Sequence, residues 1–138
     1  MDSMEIKLCD IQGRLFELSA QQGYDSEKFI SAFMLSETAR HLDSKFNRFQ
    51  WAGEEYLLSE VAAESGDKLA KTGEVYSSEV MYWIGYLYRY WHYCKSESSA
   101  KIYRQANART MKRNYMMFHT MDPELAIDNL IEIKKQKQ

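Results

Sequence analysis

One proline and six glycines in 138 residues leave little of the chemistry with which all-β and loop-rich chains turn corners. Two cysteines, Cys9 and Cys94, cannot build a disulfide framework, and a chain long enough to bury about 65–70% of its unfolded surface does not need one. A reducing, cytoplasmic setting is the expectation. The opening MDSMEIKLCD is acidic and lacks the basic and apolar regions of a signal peptide, so none is expected. No apolar run reaches the roughly 20 residues that a bilayer span requires. The possible metal ligands, His41, His92, His119, Cys9 and Cys94, show no CxxC, HxxxH or HExxH spacing, and two residues such as His92 and Cys94 point to different faces of a helix. There is no GxSxG nucleophile elbow and no glycine-rich phosphate loop, and the adjacent Glu54 and Glu55 diverge on a helix. Neither a metal nor a cofactor is expected.

What is present is a period near 3.6 through most of the chain, which predicts an all-α fold. The densest stretch is residues 78–95, SEVMYWIGYLYRYWHYCK. From Val80 to Cys94 only Gly85, Arg89 and His92 are neither apolar nor aromatic, and seven of the residues are Tyr or Trp. A helix apolar on all sides belongs at the centre of a bundle. Trp83, Leu87 and Trp91 fall at i, i+4 and i+8 and are expected in one buried stripe, with Tyr82, Tyr86, Tyr90 and Tyr93 on another face. Buried phenols and indoles need partners, so polar tethers are expected along this helix.

The remaining helices are marked by their ends. Residues 4–21 form a first amphipathic segment that stops at Gln21-Gln22-Gly23-Tyr24, with Gly23 as a left-handed cap. Asp25 caps a second helix expected to run unbroken to Asp43. Residues 44–50 read as a connection or helical turn, and a third helix runs from Trp51 or Ala52 to about Glu64. Gly66 ends it. Residues 67–76 are the least periodic and are the expected mobile loop. Ser77 caps the central helix. Ser98 or Ser99 caps a short segment to Ala106, and another helix covers residues 109–118. Asp122-Pro123-Glu124 opens the last. The sum is a single-domain bundle of about six or seven helices, spanning residues 1–138, around the central aromatic-rich one.

Charge is unevenly placed. Residues 1–79 carry 8 basic and 15 acidic groups, whereas residues 80–138 carry 10 basic and 5 acidic. The basic cluster Lys95, Lys101, Arg104, Arg109, Lys112 and Arg113 spans a possible helix-turn-helix joined at Asn107-Ala108, with Arg109, Thr110, Lys112, Arg113 and Asn114 on the recognition element. Such side chains grip phosphates and read base edges, which makes a nucleic-acid-binding regulator one expectation. Arg113-Asn114-Tyr115-Met116-Met117-Phe118-His119 resembles the short Arg…His signature of HEPN-type ribonucleases. That resemblance implies a phosphate-holding Arg113 and a proton-transferring His119 in a metal-independent site. Six residues of regular helix rotate by about 240°, however, which separates the two side chains unless the helix ends near Phe118.

The pieces MEIKLCDIQGRLFELSA, FQWAGEEYLL, EVMYWIGYLYRYW and NYMMFHTMDPELAIDNL, spread over nearly the whole chain, resemble a set of small bacterial helical proteins. These are associated with loci encoding ADP-ribosyltransferase-like toxins and their antitoxins in gut-dwelling bacteria. The resemblance implies an antitoxin or accessory protein that binds a cognate toxin, and it carries over no catalytic residue. A chain rich in Tyr, Trp, Met and Arg agrees, because protein interfaces favour those residues. The expected function is therefore neutralisation by complex formation, without catalysis.

Overall fold

A computed structural model describes residues 1–45 and 48–137. Among these, eight α-helices form one bundle and no strand occurs: α1 (Ser3–Gln21), α2 (Ser26–Met34), α3 (Glu37–Asp43), α4 (Glu54–Ser65), α5 (Ser78–Lys95), α6 (Ser99–Gln105), α7 (Ala108–Phe118) and α8 (Pro123–Gln136). The chain is all-α, as the periodicity predicts, and no described helix is long and apolar enough to cross a membrane. Asp25, Ser77, Ser98 and Asp122 each accept an N–H from the first turn they precede. Asp2 and Glu5 add a reciprocal capping box at the start of α1. Gly23 takes the left-handed φ of +83° just after α1.

Three expectations change. The helix expected over 25–43 is broken at Leu35–Ser36. Ser36 caps a new helix by accepting from Ala39 N. The Glu64 carboxylate, from α4, accepts from Glu37 N, Thr38 N and Thr38 Oγ1 at 2.8, 3.1 and 2.7 Å. The helix expected from residue 51 or 52 starts at Glu54, because Arg48–Trp51 winds instead as a 3-10 turn. Phe46 and Asn47, part of the expected connection, lie outside the described residues. Residues 67–76, expected as a mobile loop, are strapped to the start of α2. Asp25 N donates to Ala70 O, Ser26 N to Glu74 O, Glu74 N to Asp25 Oδ2 and Tyr76 N to Ser26 Oγ, at 2.7–3.2 Å. The Tyr76 side chain is buried beside that strap.

The core is built on the pairing of α1 with α5. Two glycines let the helices approach. A Cβ on Gly13 would sit 2.8 Å from the Tyr82 ring, and one on Gly85 would sit 2.6 Å from the Gln12 carbonyl oxygen. Phe16 packs edge-on against Phe29, Phe33 and Tyr88 at 5.3–6.2 Å, and Met81, Ile84, Leu87 and Trp91 complete the buried side of α5. Trp83 departs from the expected stripe. It is only half-buried and lies edge-on to Tyr115 at 5.6 Å, outside the core proper.

A buried guanidinium fixes the rotation of α5. Arg89, 1% exposed, donates from Nε to Gln12 Oε1 (2.8 Å), from Nη1 to Asp43 Oδ1 (2.7 Å) and from Nη2 to Ser99 Oγ (3.2 Å). Asp43 also accepts from Ser99 N and Oγ at the head of α6. Gln12 Nε2 donates to Gly85 O. α1, α3, α5 and α6 thus meet on one charge. Several of the expected tethers are present: Tyr88 donates to Ala106 O, Trp91 Nε1 to Glu97, and Tyr82 to Asp10; the buried Tyr93 hydroxyl has no partner among the described residues. With this side of α5 held inward, Tyr82, Tyr86 and Tyr90 are turned outward.

Candidate binding groove

Those three tyrosines, four residues apart, lie ring beside ring at 6.0 and 6.2 Å. The Tyr82 hydroxyl is held by Asp10, which also pairs with Arg14 at 2.9 Å. Burial, followed by the bond to Asp10 and its charge, pushes the Tyr82 hydroxyl well above the ordinary phenol range, and burial raises Tyr86 in the same direction. Both rings therefore stay neutral. On the far side, α7 ends in a stack: Tyr115 and His119 are 4.3 Å apart and 13° from parallel. His119 Nδ1 lies 2.7 Å from Tyr115 O, so it is the protonated nitrogen. The turn into α8 contributes Met121 and Pro123. Between these walls lies a cavity of about 490 Å³, lined also by buried Leu87, by Trp83 and by Glu17 and Glu79. Its volume falls within the range that organic ligands or inserted side chains occupy.

Met121 also lines a second cavity, of about 350 Å³, with Met117, Phe118 and Ile133. The neighbouring α7 surface carries Met116 at 77% and Met117 at 68% exposure. Exposed methionines beside an aromatic groove are adaptable contact material.

The residues singled out by the two nucleic-acid expectations are not gathered into one site. Arg113 lines a different cavity, with Glu27, Glu74, Tyr76, Arg109 and Lys112, whereas His119 belongs to the aromatic groove. Within the basic cluster, Lys95 pairs with Asp128, Lys101 with Glu97, Arg109 with Glu27 and Lys112 with Glu74, at 2.5–3.2 Å. Lys112 also lies over the Tyr76 ring at 4.8 Å. α6 and α7 are separated at Ala106–Asn107, with Asn107 capping α7 through Thr110 N. Asn114 Nδ2 is turned back onto Thr110 O. Arg104 and Arg113 make no ion pair among the described residues.

Cys9 is fully buried, and burial pushes its thiol up to about 12. Cys94 is raised in the same direction by burial and then by Glu124. A nucleophilic cysteine needs the opposite shift. Among the described residues no group of three or more His, Cys, Asp or Glu side chains is placed to hold a metal ion. Sequence reasoning found the Tyr82–Tyr86–Tyr90 row as a helical face. It missed Glu17, Glu79, Tyr115 and Met121 as the walls, and nothing in their spacing links them. Comparison of the chain with protein-family models, curated proteins and solved structures finds no match.

Proposed function

We propose that the chain is a non-catalytic binding protein whose aromatic groove, between α1, α5 and the α7–α8 turn, takes a segment of a protein partner. The observation that carries this is the groove itself: half-buried Tyr82, Trp83 and Tyr86 line, with Tyr115 and Met121, a cavity of about 490 Å³. Tyr and Trp give large contact areas at small entropic cost, and they dominate interface energetics when set in a pocket. The setting implied by the sequence resemblance is a bacterial toxin–antitoxin locus. The partner is then a toxin, possessing an ADP-ribosyltransferase-like active site, that this protein occludes in the cytoplasm. The nucleic-acid and ribonuclease alternatives draw less support, because the basic cluster is largely paired with carboxylates and Arg113 and His119 line separate cavities.

Expression of this chain alone, the product of the adjacent gene alone, and both together tests the proposal. The expected results are harmless, toxic and harmless. Tyr86→Arg should abolish the rescue and the co-purifying complex, whereas His119→Ala, at the groove wall, should still protect. Growth arrest from this chain alone, relieved by His119→Ala, would instead establish a ribonuclease.

A further inference from the structure

Carboxylates over most of this fold have work. Asp10 holds Arg14 and Tyr82, Asp43 holds Arg89 and Ser99, Glu64 caps α3, and Glu97 holds Trp91, Lys101 and Gln105. Glu17 and Glu79 border the aromatic cavity, and neither makes an ion pair or side-chain hydrogen bond with a described residue. Unpaired carboxylates on an open helix face are ordinary. Two that border the same ring-lined cavity, neither paired with a cation among the described residues, give it an acidic rim. Arg14, on the same helix as Glu17, pairs with Asp10 instead.

From this we infer that the groove recognises a guanidinium: an arginine side chain of the partner enters between the Tyr82–Tyr86 and Trp83–Tyr115 rings and pairs with Glu17 and Glu79. A guanidinium is planar and weakly hydrated, stacks on aromatic faces, and can divide its five donors between two carboxylates. An ammonium lacks the flat face, a neutral group leaves the carboxylates unpaired, and an anion is repelled. The inference rests on the groove being the partner-binding surface, and it adds the chemistry of the anchor.

The full chain bearing Trp51→Phe removes the exposed indole and leaves Trp83 at the cavity and Trp91 in the core, away from it, so that a ligand-dependent change reports on Trp83. Titration at constant ionic strength with ethylguanidinium chloride, ethylammonium chloride and ethylurea should give a saturable change that is strongest for the guanidinium and absent for the urea. Glu17→Gln with Glu79→Gln should weaken ethylguanidinium by about tenfold, the scale of a charge-assisted contact, with the helical circular dichroism at the titration temperature unchanged. Equal responses to ethylguanidinium and ethylurea, no saturable response, or undiminished binding in the double variant would overturn the inference. The partner complex separates this from the groove proposal. Loss of complex with Tyr86→Arg but full affinity in the double Gln variant keeps the groove and removes the arginine. Full affinity with Tyr86→Arg removes the groove. Ethylguanidinium binding that depends on both glutamates, in a protein whose partner affinity does not, would make the site one for a free small-molecule cation and overturn the assignment to a partner side chain.

Discussion

An alanine at position 85 would bring its Cβ within 2.6 Å of the Gln12 carbonyl oxygen and 2.8 Å of Phe16 Cγ. In an exposed helix the same change stabilises by about 1 kcal/mol. Here the obstacle is backbone, which cannot swing away, so α1 and α5 must part. Gly85→Ala is expected to destabilise by about 1–3 kcal/mol, read as a lower denaturant midpoint; an unchanged or raised midpoint would mean that the helices are not in contact there. Arg89 is a second such position. Removal of its guanidinium leaves Asp43, only 13% exposed, unpaired at the junction of three helices. Arg89→Ala should cost about 3–5 kcal/mol, and Arg89→Lys should restore only part of it, because one ammonium cannot reach Gln12, Asp43 and Ser99 together. The two tryptophans of α5 divide likewise. Trp91→Ala should cost about 3–5 kcal/mol, whereas half-buried Trp83→Ala should cost clearly less in stability and act on binding.

Most helix ends were legible because their signals are local: an Asp or Ser that accepts the N–H three residues on, a glycine that takes positive φ, a proline at the first turn. The break at Ser36 was legible only in its cap, the hydroxyl that accepts from Ala39 N; its second clamp is Glu64, 27 residues away from Glu37. Alternation of apolar residues continues across the break unchanged. Arg89 could be seen only as an interruption in an apolar run, since its partners at 12, 43 and 99 belong to three other segments. The groove was half-visible for the same reason. Its tyrosine row shares one helix, and its walls come from elsewhere. The Glu64 clamp also sets a pH dependence. Burial acts to raise that carboxyl, but the Thr38 hydroxyl and the Glu37 and Thr38 amides outweigh it and hold it below its ordinary 4.5. Glu97 is held low too, with burial outweighed by Gln105, Lys101 and Trp91. A depressed acid stabilises the fold above its unfolded value and ceases to do so as pH falls through the folded one. His92 is depressed below 6.5 by burial and then by Arg89, which outweigh the Glu97 carbonyl and Asp43. Its contribution is complete above 6.5 and is lost below. Stability should therefore decline in two stages on acidification, first below about pH 6.5 and again below about 4.5. His92→Asn should remove the first stage and Glu64→Gln should shallow the second, in denaturation midpoints measured against pH. A single transition unaffected by either variant would contradict this assignment.

Across the whole molecule, the acidic first half and basic second half partly cancel one another. Arg109 and Lys112 reach back to Glu27 and Glu74, so cations that looked available along the chain already face carboxylates in space. Exposed pairs of this kind are worth little and release easily, so weak retention of a duplex at low salt is compatible with the fold. By about 0.15 M salt, where the screening length is about 8 Å, no retention is expected. Binding of DNA or RNA that survives there, and whose salt slope flattens in Arg109→Ala/Lys112→Ala/Arg113→Ala, would favour the regulator over the protein-binding reading.

The α1–α5 pairing also dictates an order of events during synthesis. Gln12 and Gly85 are 73 positions apart, which at ribosomal speeds of about 5–20 residues per second is a delay of roughly 4–15 s. Throughout it Leu15 and Phe16 have no α5 to lie against. A ribosome arrested before residue 85 has cleared the exit tunnel should hold a first helix open to protease and attractive to chaperones. Release of a dozen further residues should close it abruptly, so that codon speed between the two helices governs how long the newborn chain stays sticky.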